Sequence, residues 1–143
     1  VSQVLPVLVE LFYAPVGSVI IMEQPELHLH PSAQAALADV MIMAIHAKEN
    51  FEKRGIQLLI ETHSEHFLRR LQRRVAEGVL EYDELSAYFA NNDRFPAKLE
   101  ELQLDIFGNI ENWPRNFFGD IAGDVFAQTD AALQKRIREE FYE

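Results

Sequence analysis

Two short apolar runs in this chain each end in polar side chains that could bind a ligand. The first run, 19–22, leads into an acid-Gln-Pro-acid segment at 23–26, and the second, 56–60, leads into Glu-Thr-His-Ser at 61–64. Carboxylates in such segments can hold a divalent cation. Apolar runs without polar alternation are typical of strands buried on both faces of a parallel sheet. Because open α/β sheets bind ligands at the carboxyl ends of their strands, we expect the two polar segments to form one site there.

Histidines near these segments offer a second chemistry. His28 and His30 are alternate residues, which point the same way in an extended segment. With Glu26, His63 and His66 they could ligate metal ions in a dinuclear hydrolase site. The stretch that holds His28 and His30 suits a loop packed at a dimer seam equally well, so the sequence leaves both interpretations open.

The elements that must position these residues alternate between strand and helix. The patterns predict a helix over 3–14, a strand over 18–23, a long helix from Pro31 to about Lys53 and a strand over 56–61. They then predict a helix capped by Ser64 and ended by Gly78, a strand over 85–90, a turn at 91–93 and another strand or extended segment over 98–106. This alternation implies right-handed crossovers and a parallel sheet flanked by helices, an α/β domain over 1–107. The composition shifts from residue 108, and we expect 108–143 to form a small helical C-terminal appendage.

Composition and charge limit the classes of protein. The 143 residues contain no cysteine and no apolar run long enough to span a membrane, so we expect a soluble, cytoplasmic protein without disulfides. The net charge of −10 should repel nucleic acid over most of the surface. Four clustered arginines are the exception, and they indicate either a solvated helix face or a contact for nucleic acid or an acidic partner: Arg69, Arg70, Arg73 and Arg74.

Three segments resemble motifs of ABC-class P-loop ATPases in the AAA family, those related to the overcoming-lysogenisation-defect and SMC-like proteins. Residues 2–6 look like the tail of a signature motif, 22–31 look like a Walker B motif followed by a D-loop, and 61–68 look like the switch-histidine segment. Residues 112–118, with their Asn-Trp-Pro and Phe-Phe, are similar to a C-terminal domain of unknown function on one branch of these ATPases. The resemblance covers nearly the whole chain and implies the C-terminal half of a P-loop NTPase.

The resemblance also implies roles for five residues. Glu23 would hold Mg²⁺ or its waters, and His63 would sense the γ-phosphate of ATP. Ser2 would touch the γ-phosphate of nucleotide held by the other protomer. Where relatives carry a glutamate that polarises the attacking water, this chain has Gln24, which can orient water but cannot take a proton. Glu26 could supply the missing carboxylate.

The phosphate-binding motif of such ATPases is absent from this sequence. No G-x-x-x-x-G-K-[ST] pattern occurs in the 143 residues, so we expect the isolated chain to be inactive. The resemblance implies that the strand of the P-loop lies next to the switch-histidine strand. We therefore expect the chain to work with its own N-terminal half, which carries the P-loop, and as a homodimer through the ATPase domain. A metal-dependent hydrolase and a non-catalytic regulatory or interaction module are the alternatives.

Overall fold

The computed structural model describes residues 4–91, 95–114, 117, 126–133 and 135. The chain divides into two compact units, Val1–Asn112 and Trp113–Glu143. In the second unit, 126–133 and 135 are helical. The sequence-based boundary after residue 107 stays a prediction. Ser2, together with most of the turn predicted at 91–93, lies outside the described residues.

The described part of the first unit contains three α-helices and six strands. In chain order they are α1 (Val4–Tyr13), β1 (Val19–Glu23), α2 (Pro31–His46), β2 (Lys48–Glu49), β3 (Glu52–Lys53), β4 (Gln57–Glu61), α3 (Glu65–Ala76), β5 (Ala87–Asn91) and β6 (Lys98–Leu102). The predicted α/β class is confirmed. None of the described helices has the length and apolar character needed to cross a bilayer.

Strands β1 and β4 form a parallel pair, in which Ile21 lies opposite Leu59 and Glu23 opposite Glu61. They make a two-stranded sheet among the described residues, and β5 pairs instead with β6 in a separate antiparallel sheet. The expectation that 85–90 would join the parallel sheet is therefore wrong. The reason is the short connection from β5 to β6, because a few residues can join antiparallel neighbours whereas parallel neighbours need a long crossover.

Helix α2 begins as predicted but ends at His46, well before Lys53. The C-cap residue that follows the helix, Ala47, is extended, with φ −60° and ψ 144°. The next residues form the β2–β3 hairpin, and its two turn residues, Asn50 and Phe51, have φ values of 50° and 69°. Two successive residues with positive φ match the tight turn that suits twisted hairpin strands, and asparagine adopts that conformation readily. The preference of these residues for a tight turn therefore outweighs the helical pattern that predicted a helix to Lys53.

Local signals place α3 and the start of α2 correctly. The Ser64 hydroxyl accepts a hydrogen bond from the Phe67 amide at 3.0 Å and so caps α3. Gly78, with φ 68°, follows the end of that helix. Pro31 occupies the first turn of α2, and the His30 ring nitrogen Nδ1 accepts from the Ser32 amide at 3.3 Å.

The three helices pack against one face of the β1–β4 sheet. The main core consists of buried residues from the helices, the strands and the segments beside them: Leu11, Ala14, Ile20, Leu37, Ala38, Met41, Ala44, Ile56 and Phe67. The opposite face is exposed, since Val19, Ile21 and Leu59 are 59%, 73% and 60% accessible. The expectation that both faces are buried is wrong for the described residues, because no described helix covers that second face.

Candidate functional site

The parallel pairing of β1 and β4 brings the two polar segments to the same edge of the sheet. Glu23 and Glu61 end the two strands side by side, and the Gln24 amide donates to the Glu61 carbonyl at 2.8 Å, which continues the pairing past the strand end. Both acids are exposed. The His63 ring follows two residues later, with Nε2 3.9 Å from Oε1 of Glu61 and 76% of the side chain accessible. Acids, an amide and an imidazole therefore meet at one solvent-facing edge.

The loop after β1 is built from two successive tight turns. The Leu27 amide donates to the Gln24 carbonyl, and the Leu29 amide donates to the Glu26 carbonyl, each at 3.0 Å. Gln24 and His28 have φ values of 44° and 66°, a left-handed backbone that ordinary residues rarely adopt. Residues with such a strained backbone are held in place by surrounding contacts. They are found most often at functional sites. These turns direct the Glu26 carboxylate inward.

Glu26 reaches across to the loop after β4. Its side chain is buried, with 4% of the residue accessible. Oxygen Oε1 accepts from the Thr62 hydroxyl at 2.6 Å and from the His63 amide at 3.3 Å. The second oxygen, Oε2, is buried and has no hydrogen-bond partner among the described residues. The role of Glu26 as a proton acceptor stays a prediction, and the geometry adds a contact to His63 that the sequence did not suggest.

Two polar residues that sequence reasoning missed extend this contact into the helices. The Ser64 amide donates to the Thr62 hydroxyl at 3.1 Å, and the Ser64 hydroxyl donates to Oε1 of Gln34 at 2.6 Å. Gln34, in the first turn of α2, also donates from Nε2 to the Leu29 carbonyl at 3.0 Å. The sequence did offer a signal for Thr62, because this polar residue lies between Glu61 and His63. Gln34 gives no such signal, because only the packing of α2 against the loop reveals it.

The histidines do not assemble into a metal centre in the described structure. His30 bonds the Ser32 hydroxyl at 2.9 Å, and His28 is exposed. Among the described residues no three His, Asp or Glu side chains form a group that could hold a metal ion. The dinuclear hydrolase alternative therefore lacks its ligand set in this part of the chain. A single exposed acid such as Glu23 fits a Mg²⁺ site of the kind that substrate phosphates complete.

The four clustered arginines of α3 are paired with acids. Arg70 and Arg74 both bond Asp39 of α2, with Arg74 Nε 2.8 Å from Oδ1. The hydrogen bond from Arg74 holds the pKa of the Asp39 carboxyl below its usual value. Arg69 pairs with Glu65 at 3.2 Å, and Arg73 with Glu77 at 2.7 Å. This pairing favours the interpretation of a solvated helix face that fastens α3 to α2.

The α/β arrangement, with acids and a histidine at one edge of a parallel strand pair, is consistent with part of a P-loop NTPase. Residues 1–69 match the family model described as "AAA domain, putative AbiEii toxin, Type IV TA system". Residues 80–128 match the family "Protein of unknown function (DUF3696)". The comparisons with curated proteins and with solved structures found no match. The first match covers both site loops and supports an ATPase-type, nucleotide-binding AAA domain in this part of the chain.

Proposed function

We propose that the chain supplies one part of the catalytic site of an ABC-class ATPase. The observation that carries the proposal is the in-register parallel pair that sets Glu23 beside Glu61, with His63 exposed at the same edge. Phosphoryl transfer needs positioned charges more than covalent chemistry by the protein. In this site Glu23 holds the cation, His63 contacts the γ-phosphate, and Gln24 orients the attacking water.

The cation site follows from the chemistry of Glu23. Mg²⁺ keeps several waters and takes one or two carboxylates together with substrate phosphates. Glu23 is exposed at the strand end, and it lies opposite Glu61 in the register. A bound Mg²⁺ neutralises the charge that develops on the transferred phosphoryl group. His63 then stabilises the same charge from the neighbouring strand.

A segment carrying the P-loop completes the site, and we propose that it is the N-terminal half of the same protein. The exposed face of the sheet supports this assignment, since Val19, Ile21 and Leu59 form an apolar patch of the kind that marks an interaction surface. An open groove of about 450 Å³ also runs between α1 and the strand β1. Covering each of these aliphatic side chains contributes roughly 1.5–3 kcal/mol, which favours association.

The dimer part of the proposal rests on the loop after β1. Leu27 is 54% accessible at the tip of that loop, next to the left-handed His28. An exposed leucine on a constrained loop suits a contact with a second copy. In that assembly Ser2 acts on nucleotide held by the opposite protomer.

The decisive experiment compares ATP turnover by Glu23→Gln with that of the wild type, in the longer protein that carries the P-loop. The substitution keeps the shape of the side chain and removes the charge that holds Mg²⁺, so we expect turnover to be abolished with the fold intact. Glu49→Gln is the control, since Glu49 is an equally exposed acid in the β2–β3 hairpin. Wild-type turnover by Glu23→Gln would contradict the assignment. An absence of turnover in the wild-type assembly would instead favour a non-catalytic interaction module.

A further inference from the structure

We propose that Glu26 is a positioning residue that fixes the backbone of His63 and so joins the loop after β1 to the loop after β4. Its consequence for catalysis rests on the proposed ATPase function. The contact itself does not, because it is a property of this chain alone. This role differs from that of a proton acceptor for the attacking water.

The burial of Glu26 separates the two roles. A proton acceptor must reach the water that it activates. Glu26 is 4% accessible, and its oxygen Oε1 already accepts two hydrogen bonds from the neighbouring loop. Glu23 and His63, in contrast, are exposed at the sheet edge. The carboxylate of Glu26 therefore faces the protein rather than the proposed nucleotide.

Contacts on both sides of His63 hold its backbone. Thr62 precedes it and donates to Glu26, and Ser64 follows it and donates to Gln34 of α2. The His63 amide itself donates to Glu26. The imidazole nevertheless stays 76% accessible. A fixed backbone that carries an exposed ring is the arrangement expected of a side chain that must meet a ligand with defined geometry.

The charge of Glu26 is dispensable for this contact. Burying a carboxylate without a cation is costly, and no described cation pairs with Glu26, whose Oε2 has no hydrogen-bond partner in the described structure. Glutamine offers the same acceptor oxygen to Thr62 and His63 without that charge. Alanine offers no acceptor. The pair Glu26→Gln and Glu26→Ala therefore distinguishes a positioning oxygen from a proton-accepting carboxylate.

The first test measures amide hydrogen exchange at His63 in the 143-residue chain. We expect Glu26→Gln to keep the wild-type protection, and Glu26→Ala to lower it about tenfold through loss of the hydrogen bond. Glu23→Ala is the matched control, since in the described structure this neighbouring acid does not accept from the His63 amide, so its truncation should leave the protection unchanged. Unchanged protection in Glu26→Ala would overturn the proposal. Thr62→Val removes only the hydroxyl, and it tests the same contact if Glu26→Ala fails to fold.

The second test measures turnover in the assembly that contains the P-loop. A positioning role predicts that Glu26→Gln keeps kcat near the wild-type value, whereas Glu26→Ala and Thr62→Val lower kcat with little change in KM. A proton-accepting role predicts that Glu26→Gln is as slow as Glu26→Ala and that Thr62→Val is near wild type, which would overturn the proposal. If the wild-type assembly does not hydrolyse ATP, the proposed function fails, while the exchange result still decides whether Glu26 holds His63.

Discussion

At the scale of single residues, His63 combines a hydrogen-bonded backbone with an exposed ring. Its amide and both sequence neighbours are hydrogen-bonded, yet three quarters of its side chain is accessible, with an exposed fraction of 76%. Gln24 occupies a comparable position on the other loop, where its left-handed φ of 44° is held by the turn that follows. Both residues are therefore presented by constrained backbone, as positioned groups of an active site should be.

We predict that His63→Ala in the complete ATPase binds ATP nearly as well as wild type but hydrolyses it much more slowly. In the proposed site the ring would contact charge that grows in the transition state, and losing one such contact lowers the rate by roughly 10²–10³. Nucleotide titration and steady-state turnover on the same preparations check this. His66→Ala is the control, because His66 is an exposed histidine in the first turn of α3. Equal losses of binding and turnover would assign His63 a structural role instead.

At the scale of secondary structure, the ion pairs of Asp39 join α2 to α3, the helices that follow the two site loops. Asp39 accepts from Arg70 and Arg74, and its side chain is 27% accessible. The hydrogen bond from Arg74 lowers the pKa of the Asp39 carboxyl from 3.8. A lowered pKa in the folded state adds stability above the unfolded-state value, and this contribution is lost as the pH falls through the folded-state pKa.

We predict that Asp39→Asn lowers the free energy of unfolding at pH 7 by about 1–2 kcal/mol, since two arginines lose a charged acceptor. The difference from wild type should shrink as the pH falls from 3.8 through the lowered folded-state pKa, where Asp39 takes up a proton in the folded protein. Urea denaturation at pH 7 and at low pH checks both statements. Asp83→Asn is the control, because Asp83 is an exposed acid in the short 3₁₀ helix Tyr82–Glu84. A difference that is independent of pH would contradict the ion-pair explanation.

The same elements show which features of the fold and of the candidate site could be predicted from the sequence. The strands β1 and β4 and the cap at Ser64 were predictable because their signals are local. The end of α2 at His46 was not, because the Asn50–Phe51 turn outweighs a continuing helical pattern. The contact from Glu26 to the His63 amide depends on two left-handed residues and on the register of a distant strand. Residue types and their spacing specify neither the left-handed backbone of these residues nor the register of that strand.

At the scale of the whole molecule, the sequence and the described structure disagree about one surface. The runs 19–22 and 56–60 are apolar except for Gln57 and lack the regular polar alternation of half-buried strands, yet one face of their sheet is open. The apolar character of these runs is explained if a further protein segment covers the face that is exposed here. This is the physical basis for the proposal that the segment carrying the P-loop covers the open face.

We predict that Ile20→Ala and Ile21→Ala separate folding from association. Ile20 is 8% accessible in the core, so its truncation should destabilise the isolated chain by about 2–5 kcal/mol. Ile21 is 73% accessible on the open face, so its truncation should change stability by less than about 0.5 kcal/mol. Ile21→Ala should nevertheless weaken binding to the P-loop-bearing segment, because the proposed complex would bury that side chain. Denaturant unfolding measures the first two effects, and titration of the chain with the separately produced segment measures the third. Wild-type affinity in Ile21→Ala would show that the open face is not where the segment binds.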